Sequence, residues 1–219
     1  AILHQAAIYG KEAFDNLAAY LRTSGVNQSE ERLFFEAENI FKNYGKLGLS
    51  FEPIIALGKN AAKPHALPTS ESLKEGELVL VDAGVKYQRY CCEFSKTMNF
   101  EKSQVFTNQT RQKVYDTVLK AQEAGLKKAK PGVKACEVDK ACREVIDKAG
   151  YKEYFIHSTG HGVGLDIHEL PVIGARSQTV LEEGMIFTVE PGIYLPEDFG
   201  VRIEDTVVLE SNGVCILGK

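Results

Sequence analysis

Two acidic residues stand at equivalent places in a repeated segment. Residues 73–84 read LKEGELVLVDAG and residues 181–192 read LEEGMIFTVEPG, so that Asp82 and Glu190 coincide at an offset of 108. Each acid follows an apolar, strand-like run and precedes a glycine by two residues. A carboxylate at the end of a buried strand needs a partner, because burying an unpaired charge is costly. The repeat therefore marks both acids as candidates for chemistry.

Hairpin symmetry places two further acids. Residues equidistant from the centre of a hairpin face each other across its strands. A turn centred at residues 87–88 would place Asp82 across from Glu93. The turn-like sequence PEDFG lies midway between Glu190 and Glu204, which would face each other in the same way. We therefore predict two carboxylate pairs, which the internal repeat would bring together.

Four clustered carboxylates would repel one another unless protons or cations neutralise them. Two divalent ions would balance the four negative charges. Oxygen-rich ligation with one imidazole suits Mn²⁺ best, and it also fits Co²⁺, Fe²⁺ or Zn²⁺. The alternative interpretation is that these are surface acids in ordinary strands. Their placement by both the repeat and the hairpins favours a site for two metal ions.

Three of the five histidines fall in the segment HSTGHGVGLDIHE, as His157, His161 and His168. On one straight strand, His161 and His168 would point to opposite faces, because they are seven residues apart. One of them could then ligate a metal while another contacts a substrate. His65 lies in the polar sequence KPHA, where composition alone favours a solvated loop residue.

The elements that must hold these residues follow the order helix, helix, strands, twice over. This predicts an α+β domain of two pseudo-symmetric halves, about 1–105 and 106–219, with a ligand site in the seam. A second echo, Gly25-Val26 with Glu30 against Gly132-Val133 with Glu137, supports the repeat at an offset of 107. The predicted helices are one ending by Ser24-Gly25, one capped by Ser29 and ended by Gly45 and Gly48, and others over about 105–129 and 135–149. The predicted strands are 53–57, 77–85, 90–98, 161–168, 185–190, 200–210 and 214–217.

Composition excludes several classes of protein. The 219 residues are 44% hydrophobic and 26% charged, which is typical of a globular domain rather than a disordered chain. The net charge of −4 argues against binding to nucleic acid or to an anionic membrane surface. No apolar run approaches the length of a membrane span, and no segment is typical of a signal peptide. Five sparsely spaced cysteines favour a reducing, cytoplasmic compartment.

Longer motifs resemble a known family. They are GLSFEPIIALGKNAAKPHA (48–66), VDAG (81–84), HSTGHGVGLDIHE (157–169), FTVEPGIY (187–194) and GVRIED (200–205). With these motifs the chain resembles the pita-bread metallopeptidases, which include methionine aminopeptidase, aminopeptidase P and prolidase. The histidine segment and GVRIED are similar to the proline-specific branch. The resemblance covers nearly the whole chain.

The resemblance implies a metal-dependent exopeptidase that cleaves short proline-containing peptides before proline by two-metal activation of water. It implies a single catalytic domain over 1–219, without the N-terminal domain usual in this branch, and it leaves a homodimer open. The implied metal ligands are Asp82, Glu93, His161, Glu190 and Glu204. Glu190 would also act as general base, with His168 and His65 in the catalytic set. His65, His157 and His168 would contact the substrate, and Arg202 and Tyr194 would support the first aspartate.

One segment departs from the family pattern. Where the family has Asp-x-Thr-Arg-Thr, this chain has Glu93-Phe94-Ser95-Lys96-Thr97. Glutamate keeps the charge but extends the side chain by one C–C bond, roughly 1.5 Å, and lysine lacks the two-pronged donor of arginine. The alternative hypothesis is therefore a catalytically silent domain that binds peptide or protein. A third hypothesis, metal-free amidino hydrolysis of the creatinase type, is less favoured because those sites do not keep the full carboxylate set.

Overall fold

The computed structural model describes residues 2–100, 106 and 108–218. Residue 105 lies outside the described residues. It is the predicted boundary between the halves and the predicted start of the third helix. Helices and strands are mixed, which confirms the α+β class. The elements are α1 (Ile2–Tyr20), α2 (Glu30–Phe41), β1 (Gly48–Leu49), β2 (Ile54–Leu57), β3 (Leu78–Ala83), β4 (Val85–Tyr87), β5 (Tyr90–Cys91), β6 (Phe94–Asn99), α3 (Gln109–Lys128), α4 (Ala135–Lys148), β7 (Gly160–Gly162), β8 (Glu169–Ile173), β9 (Ile186–Val189), β10 (Gly192–Leu195), β11 (Phe199–Arg202), β12 (Asp205–Glu210) and β13 (Gly213–Ile216).

Most of the predicted helix ends are confirmed. The first helix continues beyond α1 into a π-helical turn at Leu21–Gly25 and stops where predicted. Ser29 caps α2, and its hydroxyl accepts a hydrogen bond of 3.2 Å from the N–H of Arg32. The α2 helix ends before the predicted glycines, because the chain turns left-handed at Asn43 and Tyr44. Among the described residues, none of the helices combines the length and the apolar composition that a membrane span requires.

The two halves repeat the same strand order. In the first half the sheet runs β2-β3-β6, and in the second the order β7-β9-β12 recurs within a five-stranded sheet. The same left-handed turn leads into β3 and β9, with φ of 81° at Gly76 and 88° at Gly184. These two glycines are 108 residues apart. The repeat inferred from residues 73–84 and 181–192 is therefore structural, and it aligns Asp82 with Glu190.

The second predicted correspondence, of Gly25 with Gly132 and of Glu30 with Glu137 at an offset of 107, is wrong. In each half, the residue that donates its N–H to the first leucine of the repeated segment is left-handed, and it is Asn27 in one half and Gly132 in the other. Gly132 therefore corresponds to Asn27 rather than to Gly25. The two acids of the echo also differ, because Glu30 is buried whereas Glu137 forms an exposed ion pair with a lysine.

Two of the predicted strands in the first half, 77–85 and 90–98, are each divided. The break between β3 and β4 falls at Gly84, where a Cβ atom would lie 1.8 Å from the carbonyl oxygen of Cys92. The predicted strand 200–210 is likewise divided into β11 and β12, and β10 is a strand that the pattern does not predict. The acids Asp82, Glu93, Glu190 and Glu204 lie in or next to interruptions of the strands.

Reciprocal hydrogen bonds join the two halves at their seam. The Thr97 hydroxyl donates to the carbonyl oxygen of Arg202 at 3.1 Å, and the Thr206 hydroxyl donates to the carbonyl oxygen of Glu93 at 2.9 Å. Each threonine lies on the last strand of its own half's β2-β3-β6 or β7-β9-β12 set. One apolar core packs under α1 and α2 and another under α3 and α4. The seam between them is where the acids lie.

A buried carboxylate anchors the loop that carries His65. The Glu30 side chain, at the start of α2, is fully buried and accepts hydrogen bonds from the Leu57 N–H at 2.6 Å and the Asn60 side chain at 2.8 Å. It also accepts two bonds from Thr69, from the N–H at 2.7 Å and from the hydroxyl at 2.6 Å. Glu30 thereby closes the segment between β2 and residue 69 on both sides of the histidine.

We expect Glu30→Ala to lower the free energy of unfolding by about 3 kcal/mol, because it leaves several buried donors without an acceptor. Glu31→Ala is the matched control, since Glu31 is exposed in the same first helical turn, and we expect it to cost less than about 1 kcal/mol. Urea denaturation measures both. Equal losses in the two variants would contradict the anchoring role of Glu30.

Candidate metal centre

The register of the two hairpins decides which acids face each other. In the first half, β3 pairs Asp82 with Ser95, and the chain turns at Gln88 and Arg89, which both have positive φ. The predicted pairing of Asp82 with Glu93 is therefore wrong, because the turn centre lies one residue later than predicted. Glu93 instead lies across from Gly84, between the Ala83–Phe94 and Lys86–Cys91 pairs.

The second hairpin has the predicted centre. The β10–β11 register pairs Gly192 with Arg202, and the β9–β12 register pairs Val189 with Asp205. Both registers are centred on residue 197, so Glu190 and Glu204 occupy facing positions between them. Because Gly84 corresponds to Gly192, the pseudo-symmetry relates Glu93 to Arg202. It likewise relates Ser95 to Glu204.

Three of the acids nevertheless converge. One carboxylate oxygen from each of Asp82, Glu93 and Glu204 lies within 4.8 Å of the other two. Glu93 and Glu204 are buried, and Asp82 is partly buried. Asp82 Oδ1, Glu93 Oε1 and Glu204 Oε1 have no hydrogen-bond partner within the described ranges. Buried carboxylate oxygens without donors require protons or a cation.

A network of donors fixes the other oxygens of this cluster. Arg202 donates from one terminal nitrogen to Asp82 Oδ2 at 2.7 Å and from Nε to the Ser95 hydroxyl at 2.8 Å. The Ser95 hydroxyl in turn donates to Glu204 Oε2 at 2.8 Å. Since the Ser95 oxygen accepts from Arg202, its proton is directed to Glu204. Asp82 and Glu204 therefore each keep one oxygen bound and leave one open toward the cluster.

His161 and Glu190 complete the cluster. His161 Nε2 lies 3.3 Å from both Glu93 Oε1 and Glu190 Oε1. Its Nδ1 lies 3.0 Å from the carbonyl oxygen of Gly162, an arrangement that leaves Nε2 facing the acids. The Thr188 hydroxyl donates to Glu190 Oε1 at 3.0 Å and accepts from the backbone N–H of His161 at 3.1 Å. The five predicted metal ligands thus meet in one place.

The predicted straight strand over 161–168 is wrong. β7 ends at Gly162, its pairing with β8 shifts register after His161, and β8 begins only at Glu169. The chain bends between the two histidines, so their rings meet edge to face with centroids 4.3 Å apart. His168 is exposed at the mouth of the cluster. His65 is also exposed.

A second chain of hydrogen bonds connects His157 to the acids. The Tyr194 hydroxyl lies 2.8 Å from His157 Nε2 and accepts a bond of 2.9 Å from Arg202. His157 Nδ1 lies 2.8 Å from the carbonyl oxygen of Ser158. With Nδ1 protonated, His157 Nε2 accepts from Tyr194. The chain therefore runs from His157 through Tyr194 and Arg202 to Asp82.

Burial among like charges changes the acidity of the cluster. Burial and the charge of Glu204 raise the pKa of Glu93 well above its usual value. Burial and the charge of Glu190 do the same for the pKa of Glu204, and burial raises the pKa of Asp82 although Arg202 opposes it. Burial also raises the pKa of Glu190, but the hydrogen bond with His161 and nearby positive charge outweigh it, so this pKa is lowered.

The donor set fits hard divalent cations. Four carboxylates and one imidazole meet there, three of their oxygens lack donors, and Arg202 and Ser95 hold two carboxylates in fixed orientations. Lys96 does not take part in this arrangement through its ammonium group, which lies 4.8 Å from the Phe14 ring of α1. Lys96 alternates with Ser95 along β6 and so points to the other face. Arginine replaced by lysine at this position therefore leaves the cluster's own donors intact.

The predicted set omitted the hydroxyl residues that orient the acids. Ser95 binds Glu204, and Thr188 binds Glu190. A usable signal was present, since each hydroxyl lies two residues from an acid of the set, on the same face of the strand. Ser95 follows Glu93 by two residues and Thr188 precedes Glu190 by two.

Comparison with known proteins adds independent findings. Residues 1–211 match the metallopeptidase family M24. The Xaa-Pro dipeptidase of Pyrococcus furiosus is 42% identical over 190 residues, which cover 87% of this chain and 53% of that protein. The Xaa-Pro dipeptidase of Lactobacillus helveticus is 44% identical over 169 residues, which cover 77% of this chain and 45% of that protein. The chain spans about half the length of these curated relatives.

Solved structures show the same likeness. An Xaa-Pro dipeptidase from Bacillus anthracis matches with a TM-score of 0.91 at 37% identity, over 100% of this chain and 59% of that chain. An X-Pro aminopeptidase from Thermotoga maritima matches with a TM-score of 0.90 at 34% identity, over 99% of this chain and 60% of that chain. The fold is therefore shared with both kinds of exopeptidase.

The raised pKa values predict how pH changes the stability of the metal-free protein. Asp82, Glu93 and Glu204 have pKa values above the 3.8 and 4.5 of free side chains, so the native state binds more protons than the unfolded chain. Stability contributed by these protons is present at low pH and is lost as pH rises through the raised values. We expect the Tm of chelator-treated protein to fall as the pH rises above the ordinary pKa of a carboxyl group, because the native state then loses protons that the unfolded chain has already released.

Glu204→Gln removes one charge of the cluster and should flatten this fall, whereas Glu210→Gln should not, because Glu210 is exposed at the end of β12. Added Mn²⁺ should raise the Tm of the unsubstituted protein most at the higher pH. Parallel pH curves for all three proteins would refute the assignment of the pH effect to the cluster.

Proposed function

The chain belongs to the metallopeptidase family M24, and from this premise we propose that it hydrolyses the peptide bond before proline in short peptides, as an Xaa-Pro dipeptidase or aminopeptidase. The family fold is the pita-bread fold, so that expectation of the sequence is confirmed. The names of its relatives support a proline-specific exopeptidase. The chain spans about half the length of those relatives.

The convergence of Asp82, Glu93 and Glu204 is the observation that carries the proposal. Their carboxylate oxygens approach within 4.8 Å, and one buried oxygen of each acid lacks a hydrogen-bond partner among the described residues. A protein gains nothing in stability from such a cluster without a counter-charge. We infer that the cluster serves to hold divalent cations.

We propose two cations, with Mn²⁺ favoured by the predominance of oxygen donors and Co²⁺, Fe²⁺ or Zn²⁺ as alternatives. The residues that would hold them are Asp82, Glu93, His161, Glu190 and Glu204. When bound, divalent cations lower the pKa of water and stabilise negative charge on a substrate carbonyl oxygen. The remaining tasks of the reaction fall to the protein's own side chains.

Glu190 is suited to accept a proton. Its pKa is lowered despite burial, so it is a carboxylate at neutral pH, and the Thr188 hydroxyl and His161 hold Oε1 in place. A positioned carboxylate acts as general base when it lies within hydrogen-bond reach of the attacking water. The proton that Glu190 accepts from water would then pass to the leaving proline nitrogen.

Three histidines around the cluster are suited to orient the substrate. Although His168 is exposed to solvent on one side, partial desolvation by its neighbours and then positive charge at His161 lower its pKa. A neutral His168 at pH 7 can exchange a hydrogen bond with the peptide group without adding charge to the site. His65 stands near it on the loop anchored by Glu30, and His157 is held by Tyr194. These three histidines would line the substrate pocket.

Glu93 favours a second candidate function. The family has aspartate at this position, and the longer side chain here would weaken the binding of one cation. The result would be a domain that binds peptides without cleaving them. Glu93 Oε1 still lies 3.3 Å from His161 Nε2, inside the cluster. The peptidase assignment therefore stands as the first candidate, and metal stoichiometry separates the two.

The metal-dependent peptidase assignment is tested by cleavage of Xaa-Pro dipeptides and longer Xaa-Pro peptides with Mn²⁺. We expect chelator to abolish cleavage and Glu190→Gln to lower kcat by about 10²- to 10⁴-fold, because glutamine cannot accept the proton. Glu183→Gln, an exposed residue of the same repeated segment, is the control. Full activity in excess chelator would overturn the assignment.

Glu93→Asp tests the departure from the family pattern. Removal of one methylene shortens the side chain by roughly 1.5 Å, and metal affinity responds to errors of a few tenths of an ångström in ligand placement. We expect titration calorimetry to show more Mn²⁺ per chain, approaching two, and faster Mn²⁺-supported cleavage. Glu210→Asp should leave both unchanged. Identical stoichiometry and affinity before and after the substitution at position 93 would show that the site already accommodates glutamate.

A further inference from the structure

A buried ion pair on α4 lies outside the metal centre and is unused by the mechanism above. Asp139 is 1% exposed and pairs with Arg143, one helical turn later, at 2.8 Å from Nε and 3.2 Å from a terminal nitrogen. A buried carboxylate of this kind is weak evidence for stability by itself. The hydrogen bonds that the pair makes to other parts of the chain indicate what it does.

Arg143 holds the backbone on both sides of residue 156. Its terminal nitrogens donate to the carbonyl oxygens of Phe155 at 2.9 Å and of His157 at 2.5 Å. Its guanidinium also stacks 4.2 Å from the Phe155 ring, which in turn packs edge to face on the His157 ring at 5.2 Å. The planar fork of arginine can serve two carbonyls and one carboxylate together, which the single ammonium group of lysine cannot.

Asp139 holds the other end of the same segment. Its Oδ1 accepts from the Thr159 hydroxyl at 2.9 Å and from the Thr159 N–H at 3.2 Å. The carbonyl oxygen of Thr159 then accepts from the N–H of Glu190 at 2.8 Å. The ion pair therefore acts on two residues of the site. Arg143 holds His157 through the backbone carbonyl oxygens of residues 155 and 157, and Asp139 holds Glu190 through Thr159.

We propose that Asp139 and Arg143 are positioning residues, which fix the 155–159 segment so that His157 and Glu190 are held in register with each other. Neither side chain of the pair has a hydrogen bond to His65, His161 or His168 among the described contacts. The pair acts through the segment alone. This inference rests on the proposed function for its effect on catalysis, but its structural part is measurable without it.

The test is ¹⁵N NMR of the imidazole nitrogens of the 219-residue chain with Zn²⁺ present, combined with kinetics on an Xaa-Pro peptide. The His157 signals are assigned by their loss in His157→Gln. In the unsubstituted protein, Nδ1 should be protonated and Nε2 should accept from Tyr194. We expect Arg143→Lys and Thr159→Val each to shift the Nε2 signal toward that of a solvated imidazole and to lower kcat/KM about 10- to 100-fold.

Two controls separate positioning from folding. Thr159→Ser keeps the hydroxyl bonded to Asp139 and should retain the His157 spectrum that Thr159→Val loses. Arg111→Lys is matched to Arg143→Lys, because Arg111 also donates to a backbone carbonyl, of Gly76 at 2.7 Å, and stacks on a phenylalanine ring. It should leave the spectrum and kcat/KM unchanged.

His157 signals that are the same in Arg143→Lys and Thr159→Val as in the unsubstituted protein would overturn the inference. Equal loss of kcat/KM in Arg111→Lys and Arg143→Lys would also overturn it, because that result indicates a general loss of structure. If the unsubstituted protein cleaves no Xaa-Pro peptide, the proposed function fails, and the spectra still decide whether the pair positions His157.

Discussion

The burial of four carboxylates at one seam is the constraint on which the rest of the structure depends. Asp82, Glu93, Glu190 and Glu204 lie close enough to alter one another's pKa values, and two of the four are buried to 5% exposure or less. Such a cluster opposes folding unless it is neutralised. The protein answers with Arg202, which is itself buried and donates to Asp82 and, through Ser95, reaches Glu204. The negative charge that Arg202 does not neutralise can be balanced by cations.

The pseudo-symmetry of the fold supplies this arrangement and is also broken by it. Thr97 and Thr206 make equivalent hydrogen bonds to the carbonyl oxygens of Arg202 and Glu93, so these two residues occupy corresponding positions. One half thus contributes a glutamate where the other contributes an arginine. A fully symmetric seam would carry two acids there, with no guanidinium to orient Asp82. The exchange of charge at this one pair of positions makes the duplicated scaffold into a site with a defined orientation.

Each half also uses a buried carboxylate on its second helix to hold a segment that bears a histidine. Glu30 closes the loop of His65, and Asp139 with Arg143 holds the segment of His157. Neither loop has regular secondary structure across its whole length, so side-chain acceptors must satisfy its backbone donors. His65 and His157 are therefore supported from the helical layer rather than from the sheet. The acids lie in or next to strands, while side chains of the helices hold the segments of these two histidines.

The sequence by itself determined the repeat, the acids and the histidines, because apolar strand patterns and residue types are local properties. Asp82 and Glu190 were predicted to correspond, and Ser29 was predicted to cap α2, from residues that lie next to them in the chain. The family resemblance extended this to the wider set of site residues. The register of the first hairpin was decided by Gln88 and Arg89, which adopt positive φ without the glycine or asparagine that usually signals such a turn. The bend that joins His161 to His168 and the placement of Lys96 against Phe14 likewise arise from contacts between distant segments. Tertiary structure alone decided these, because a shift of one residue in register changes which side chains share a face, and local sequence does not encode that choice.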